Sequence, residues 1–165
     1  MITVGLFGTC GGSIWRNEFM KKYDELGIAY FNPQVDDWNP AFADVEAEHL
    51  VNDEIILFPV TSETAGLGSL AETGFSIMQA IRSNVNRSIV IMIEKDVNDI
   101  LKKEKPDVAK ESIRTRALVR AHMGKNPVNN VYIVSSLEEM LDVSIMLHKA
   151  HVYLDQVRRF IIEKK

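Results

Sequence analysis

The sequence predicts an α/β fold in which helices cover both faces of a five-stranded parallel sheet. Short apolar segments alternate with longer amphipathic ones along the 165 residues, and this alternation is typical of strands joined by crossover helices. The segments 55–60 and 88–93 are almost wholly apolar, as expected of strands buried on both faces. Length and composition, with 46% apolar and 25% charged residues, indicate one globular domain over 1–165.

Apolar periodicity and glycine or proline stops define the elements of the first half. Apolar side chains recur every three or four residues over 15–26, which predicts a helix that Gly27 ends. Asn32-Pro33 stops a short strand, and Pro40 suits the first position of the next helix. The expected elements are strand 2–8, helix 15–26, strand 28–31, helix 40–50 and strand 55–60.

In the second half, Ser136 and Glu139 have the spacing of a capping box, which predicts where the last helix begins. One face of that long helix carries an apolar stripe, made of Val143, Met146, Ala150, Tyr153, Val157 and Phe160. The expected elements are helix 69–81, strand 88–93, a short helix or lid at 96–105, helix 106–123, strand 131–134 and a C-terminal helix over 136–165.

Five such units favour a Rossmann-like sheet with the flavodoxin-like strand order, which is the default for this number of strands. Ligands of these sheets bind beyond the carboxyl ends of the strands, near the point where the strand order reverses. The loops 8–13, 32–39 and 61–72 are expected at that edge. We therefore expect the functional residues in these three loops.

Charge and composition exclude several classes of function. The net charge of −4 argues against a nucleic-acid polymer as partner, although Arg114, Arg116 and Arg120 predict a local basic patch. The single cysteine forms no internal disulfide. No signal segment or apolar span long enough for a membrane is evident, so we expect a cytoplasmic protein without a membrane partner. The four histidines are scattered, so neither a metal nor a cofactor is expected.

Glu72 is the main catalytic candidate. It follows a glycine bend, Gly66 and Gly68, and is expected in the first turn of the helix that opens there. The helix dipole would then favour the ionised carboxylate, which is the form a nucleophile requires. The glycines would let a ligand approach the backbone. The alternative is that Ser69 and Glu72 form a capping box for their own helix.

The first loop contains Gly8, Thr9, Cys10 and Ser13, and its backbone N–H groups could cradle a polar ligand. The sequence has neither the lysine of a P-loop nor a dinucleotide-binding fingerprint. The alternative is a flexible turn in which Ser13 caps the next helix. Because no histidine lies near it in sequence, Cys10 is interpreted as a small packing residue rather than a nucleophile.

The second loop combines Pro33, Asp36, Asp37 and Trp38. Carboxylates accept hydrogen bonds from hydroxyl groups and an aromatic face stacks on a ring, so this cluster suits a sugar or a base. The alternative is a plain turn in which an aspartate caps the following helix and Trp38 packs over the edge of the core.

At these residues the chain resembles the nucleoside 2-deoxyribosyltransferase superfamily, and in particular its short nucleoside 2-deoxyribosyltransferase-like branch. The resemblance covers roughly residues 1–95. Its motifs are Gly8-Thr9-Cys10, Ser13 with Trp15-Arg16, Tyr30-Phe31-Asn32-Pro33, Val35-Asp36-Asp37-Trp38 and Ser69-Leu70-Ala71-Glu72.

The resemblance implies an enzyme that cleaves or exchanges the N-glycosidic bond of a nucleoside or nucleotide. Glu72 would attack C1′ to form a glycosyl-enzyme, giving a deoxyribosyltransferase or an N-glycoside hydrolase. The acid that assists base departure in the family falls near Gly66 here, which leaves Asp36 or Asp37 for that role. The resemblance also implies a homo-oligomer, with the helix 136–165 as a contact. The implied substrate-binding residues are Gly8, Thr9, Cys10, Ser13, Trp15, Pro33, Trp38, Gly66, Gly68 and Ser69.

Three other interpretations stay open from the sequence. The segment from Gly66 to Glu72 also resembles a motif of the lysine-decarboxylase-like phosphoribohydrolases, which cleave the same type of bond. A second alternative is a non-catalytic module that binds a nucleotide or an ADP-ribose-like ligand. The third is a structural protein that assembles through its last helix.

Overall fold

A computed structural model describes residues 1–37, 39–125 and 127–162, and this part of the chain contains a five-stranded parallel sheet. The strand order β2-β1-β3-β4-β5 is the flavodoxin-like order, so the predicted fold class is confirmed. The strands are β1 (Thr3–Leu6), β2 (Ala29–Phe31), β3 (Ile55–Val60), β4 (Ser88–Ile93) and β5 (Val131–Ile133).

The helices are α1 (Trp15–Leu26), α2 (Ala41–Asn52), α3 (Leu67–Glu72), α4 (Phe75–Ser83), α5 (Asp99–Glu104), α6 (Pro106–Lys125) and α7 (Leu137–Ile162). Most of them match the predicted ranges within a few residues. The single helix expected over 69–81 is wrong, because the chain leaves helical geometry at Gly74 (φ −81°, ψ −84°) and forms two short helices.

Two apolar layers enclose the sheet, because successive strand residues point to opposite faces. On one face α1 and α7 cover the sheet, with Phe19, Tyr23 and Met140 fully buried. On the other face lie α2, α3, α4 and α6, where Leu70 and Ile77 are buried. The arrangement confirms that helices cover both faces and leaves the carboxyl edge of the strands to the connecting loops.

The central strand β3 contains a proline at the point where β1 leaves the sheet. The β1–β3 pairing ends at Leu6 and Leu57, whereas β3 continues alongside β4 to Val60. The carbonyl of Pro59 accepts a hydrogen bond from Thr9 N (2.8 Å). In a strand, a residue's N and O point to the same side. The missing N–H of Pro59 therefore faces the loop after β1 rather than β4, so the proline leaves the β3–β4 ladder intact.

The C-terminal helix is anchored to the domain only over its first part. The predicted capping box is confirmed, since Glu139 N donates to Ser136 Oγ (3.1 Å) and the Glu139 carboxylate accepts from Ser135 N (2.6 Å). Farther along, Ser144 Oγ lies 2.5 Å from the hydroxyl of the buried Tyr23. From Tyr153 to Arg158 every residue is exposed. No helix in the described ranges is sufficiently long and apolar to cross a membrane.

Candidate functional site

Arg16 organises the loop after β1 from beneath. The side chain is almost completely buried, and its donors bond to main-chain carbonyls: Nε to Leu6 O (2.8 Å), Nη1 to Thr9 O (2.6 Å) and Nη2 to Phe7 O (3.2 Å). Burial lowers the pKa of Arg16. Because these carbonyls close the carboxyl end of β1, the guanidinium fixes the path of the glycine-rich loop.

Arg116 likewise fixes the path of the loop after β3 by donating to main-chain carbonyls. Its Nη1 donates to Val60 O and Glu94 O (both 3.1 Å), and its Nη2 donates to Thr61 O (2.9 Å) and Thr64 O (3.0 Å). The side chain is fully buried, so the predicted basic patch that included Arg116 is wrong.

A polar clasp, made of Thr9, Ser13, Thr61 and Glu63, joins the two loops. Ser13 Oγ and Thr61 Oγ1 (2.9 Å) both donate to the Glu63 carboxylate. Thr61 N donates to Thr9 Oγ1 (3.0 Å). The alternative in which Ser13 caps α1 is wrong, because Ile14 occupies the N-cap position.

Beyond the clasp lies a cavity of about 830 Å³. It opens at the carboxyl edge where β1 and β3 diverge, which is the switch point of this strand order. Its wall is formed by Phe7, Gly8, Cys10, Gly11, Gly12, Pro33, Gln34, Val35, Asp36, Glu46, Thr64, Ala65, Gly66, Leu67, Gly68, Ser69 and Glu72. All three loops that the sequence singled out contribute to it.

Glu72 lies on this wall, but not in the first turn of a helix. It is the last residue of α3, which begins after Gly66 in a left-handed conformation (φ 62°). The predicted helix-dipole stabilisation of its charge is therefore wrong, since the C-terminal end of a helix disfavours an anion. The capping-box alternative is wrong as well, because Ser69 is buried within α3 and Gly66 is the N-cap.

The electrostatics of the cavity favour a protonated carboxyl group. Glu72 is exposed to the cavity as a residue, yet partial burial of its carboxyl group, together with the charge of Glu46, raises its pKa. Burial also raises the pKa of the Cys10 thiol, against the effect of nearby Arg16. Thus Glu72 and Cys10 hold their protons to higher pH than they would in water.

The structure brings together most of the predicted site residues. Those on the cavity wall are Gly8, Cys10, Pro33, Asp36, Gly66, Gly68, Ser69 and Glu72. Thr9, Ser13 and Trp15 are instead buried behind the first loop, where Trp15 Nε1 donates to Thr9 O (3.0 Å). Asp37 is exposed outside the wall. Trp38 lies outside the described residues.

Sequence reasoning did not select Glu46, which lies on the cavity wall. It stands in α2 between Asp44 and Glu48, and such a run of acids is typical of a solvated helix face. Nothing in the sequence separates it from those two neighbours. Among the residues that the structure describes, no group of three or more His, Cys, Asp or Glu is placed to hold a metal ion.

Comparison with known proteins gives a structural likeness and no sequence family. No protein-family model matches the chain, and no curated protein matches it. The fold is similar to that in the crystal structure of the RPS4 and RRS1 TIR domain heterodimer, with a TM-score of 0.55 over 89% of this chain and 97% of that chain. Sequence identity is 9%, so the likeness concerns the fold alone.

These findings overturn the predicted nucleoside 2-deoxyribosyltransferase family and the function taken from it. No family model supports the motif resemblance, and the fold is matched by a TIR domain. Cleavage or exchange of an N-glycosidic bond through a Glu72 nucleophile is therefore not retained. The phosphoribohydrolase alternative and the module that binds a nucleotide or an ADP-ribose-like ligand are not retained either. The geometry supplies a physical reason, because Glu72 lacks the helix-terminal charge stabilisation and its raised pKa disfavours the attacking carboxylate.

Proposed function

We propose that this protein is an association domain, which binds another folded protein through the distal part of α7. The carrying observation is the exposure of its apolar side chains: Tyr153, Val157 and Phe160 are 67%, 59% and 69% exposed. Large apolar side chains in such a contiguous row mark protein interaction surfaces rather than ordinary solvent-facing ones.

Met146, Tyr153, Val157 and Phe160 form an exposed apolar row on the side of α7 that faces away from its own domain. Ser144 and His151 are buried, and His151 Nε2 lies 3.0 Å from Ser88 Oγ on β4. Met146 and Tyr153 come two residues later, which is about 200° around the helix axis at about 100° per residue. The row therefore contributes nothing to the domain's core, and its burial requires another molecule.

The exposed end of α7 also needs support to stay helical. From Tyr153 to Arg158 the helix has no buried residue, and most of the stability of a helix in a protein comes from the packing of its apolar face. A partner that covers the apolar row would supply that packing. The similar fold in the RPS4 and RRS1 structure occurs as a heterodimer of TIR domains, which supports association as a use of this architecture.

Replacing Tyr153 and Val157 together by glutamate is expected to abolish association of the protein in solution. Two carboxylates buried in an apolar contact lose their hydration without gaining partners, which is strongly unfavourable. Sedimentation velocity or light scattering between about 1 and 100 μM, a range that covers weak helix-mediated contacts, would measure the change in mass.

The matched control is Arg158→Gln, which changes the charge at a neighbouring exposed position outside the row and should leave association unchanged. Far-UV circular dichroism would show that both variants stay folded. A wild-type protein that is monomeric across this range, and that gives no heavier species with any partner, contradicts the proposal. So does a double variant that associates as the wild type does.

We infer a second candidate function from the cavity, namely binding of a small polar molecule with acid catalysis by Glu72. The supporting observation is a carboxyl group with a raised pKa beside Glu46 on the wall of an 830 Å³ cavity. Such a carboxyl group holds its proton to higher pH than one in water, which is the direction that acid catalysis requires. The three acids on this wall, Asp36, Glu46 and Glu72, also disfavour anions, so amines and neutral polyols fit better than phosphates.

Glu72→Gln is expected to weaken binding of a small amine or polyol by about ten-fold, because the amide cannot donate or accept a proton in the same way. A set of such compounds would be screened by ligand-observed NMR and the best of them titrated by calorimetry. Glu48→Gln on the exposed face of α2 is the control. Failure of every compound to bind, or equal losses in both variants, would contradict this site.

A further inference from the structure

We propose that His151 is an acid-sensitive latch, which docks the distal part of α7, residues 148–158, onto the sheet while its ring is neutral and releases it when the ring gains a proton. The contact involved is the one to Ser88 at the start of β4, where His151 Nε2 lies 3.0 Å from Ser88 Oγ. The latch lies on the inner side of α7 and acts within one chain, so it does not depend on the proposed association function.

Apolar packing holds the first part of α7 to the sheet. Met140 is fully buried in the core, and Leu147 is the last side chain along the described residues of α7 that packs against the same core. Ser144 is also buried, and its hydroxyl lies 2.5 Å from that of Tyr23 on α1. Beyond Leu147 the docking of the helix therefore needs a different kind of contact.

His151 supplies that contact as a polar anchor. It follows Ser144 by seven residues, which is close to two full turns, so the two side chains lie on the same side of the helix. His151 is only 9% exposed, whereas every residue from Tyr153 to Arg158 is exposed. His151 is thus the last buried side chain of α7 before the exposed segment, and its loss from the sheet would free that whole segment.

The charged groups around the ring come from the sheet and from α7 itself. From the sheet, Glu54 lies just before β3, and its carboxylate accepts a main-chain N–H at 2.9 Å. On α7, His148 and Arg158 lie about one and two turns away, and Asp155 lines a small hollow together with His148. A proton on His151 therefore meets one carboxylate from the sheet and two basic neighbours along its own helix.

These surroundings keep the ring neutral in the docked helix. Burial lowers the pKa of His151, and the charge of Glu54 offsets this only in part. Arg158 and His148 lower the pKa further. Because the pKa is lower in the docked helix than in a released one, the docking free energy is fully present above the ordinary histidine pKa and is lost as the pH falls below about 6.5. Acid therefore favours the released helix.

Amide hydrogen exchange would measure this release. Protection factors, which correct for the intrinsic pH dependence of exchange, would be compared at pH 7.5 and 5.5 for peptides within residues 148–158, with α6 as the internal reference. Uptake of one proton on release raises the opening equilibrium by at most about ten-fold between these two pH values. We therefore expect a loss of protection of about three- to ten-fold in distal α7 and no loss in α6.

Two variants assign the response to one histidine. His151→Gln keeps a hydrogen-bonding side chain but cannot titrate, so the pH response of distal α7 should fall below about two-fold. His122→Gln is the matched control, because it removes an exposed histidine of α6 and should leave the response unchanged. Circular dichroism at both pH values would show that each variant stays folded, and an NMR titration of the His151 ring would show directly that its pKa lies below the ordinary value.

Equal protection of distal α7 at both pH values would overturn the latch. A pH response that persists in His151→Gln would overturn it as well, and so would an equal loss in α6, which indicates general acid unfolding. Because the latch acts within one chain, its response should be the same at low and high protein concentration. A response that depends on concentration would assign it to association between chains instead, so the failure of either proposal is visible separately.

Discussion

Arg116→Met is expected to lower the free energy of unfolding by about 3–5 kcal/mol, because it removes the donors of several buried carbonyl groups at once. The guanidinium bonds to main-chain oxygens at the ends of β3 and β4 and in the loop between Thr61 and Gly66. Methionine fills part of the volume but donates nothing. Urea unfolding followed by circular dichroism would measure the loss.

Arg114→Met provides the matched control for this prediction. Arg114 lies on the same helix, but its side chain is exposed and pairs with Glu111 at 3.6 Å. Exposed pairs of this kind contribute little, and we expect a change within about 0.5 kcal/mol. Similar losses in the two variants would contradict the structural role assigned to Arg116.

Gly8→Ala is expected to destabilise the protein by about 4 kcal/mol or to prevent folding. Gly8 has a φ of +86°, and a Cβ at this position would overlap the carbonyl oxygen of Pro59 and lie 2.9 Å from its nitrogen. Strain in the left-handed region alone costs about 1–2 kcal/mol, and the overlap with backbone atoms of β3 adds to it because neither segment can move freely.

Gly11→Ala separates the cost of left-handed backbone strain from the cost of overlap with β3. Gly11 also has a positive φ (+67°), but nothing lies within 4 Å of the Cβ that alanine would add. Gly11→Ala should therefore lower the free energy of unfolding by only about 1–2 kcal/mol. Unfolding curves for both variants would test this, and equal losses at Gly8 and Gly11 would exclude the close approach of the first loop to β3.

The sheet could be predicted because the sequence pattern of its central strands is unambiguous. The segments 55–60 and 88–93 are apolar on both faces, and the observed β3 and β4 have those same bounds. The loops at the carboxyl edge followed from strand order alone. The sequence could therefore predict which loops form the site, and Gly8, Asp36 and Gly66 from these loops do lie on one cavity wall.

The local geometry around Glu72 was not accessible in the same way. The helix begins at Leu67 rather than Ser69, because Gly66 adopts a left-handed conformation, and it ends at Glu72, two residues before Gly74. A glycine tolerates several conformations, so its presence does not say which one the chain takes. Both the earlier start of α3 and its early end at Glu72 therefore place this residue at the end of a helix instead of in a first turn.

The buried arginines were missed for a different reason. Arg16, Arg87 and Arg116 bond mainly to main-chain carbonyls, and every residue offers a carbonyl, so these bonds leave no pattern of partners in the sequence. An arginine on a helix otherwise indicates a solvated face. The signal that remains is only the positions of Arg16 and Arg116 within α1 and α6.

Pro59 has a consequence for how β1 ends beside β3. The first loop lies directly against β3, where Thr9 N donates to Pro59 O. Because proline has no N–H, only this half of a reciprocal ladder pair forms at Pro59, and Phe7 O accepts from Arg16. The pairing of the two strands is therefore completed by an arginine side chain rather than by more main-chain hydrogen bonds.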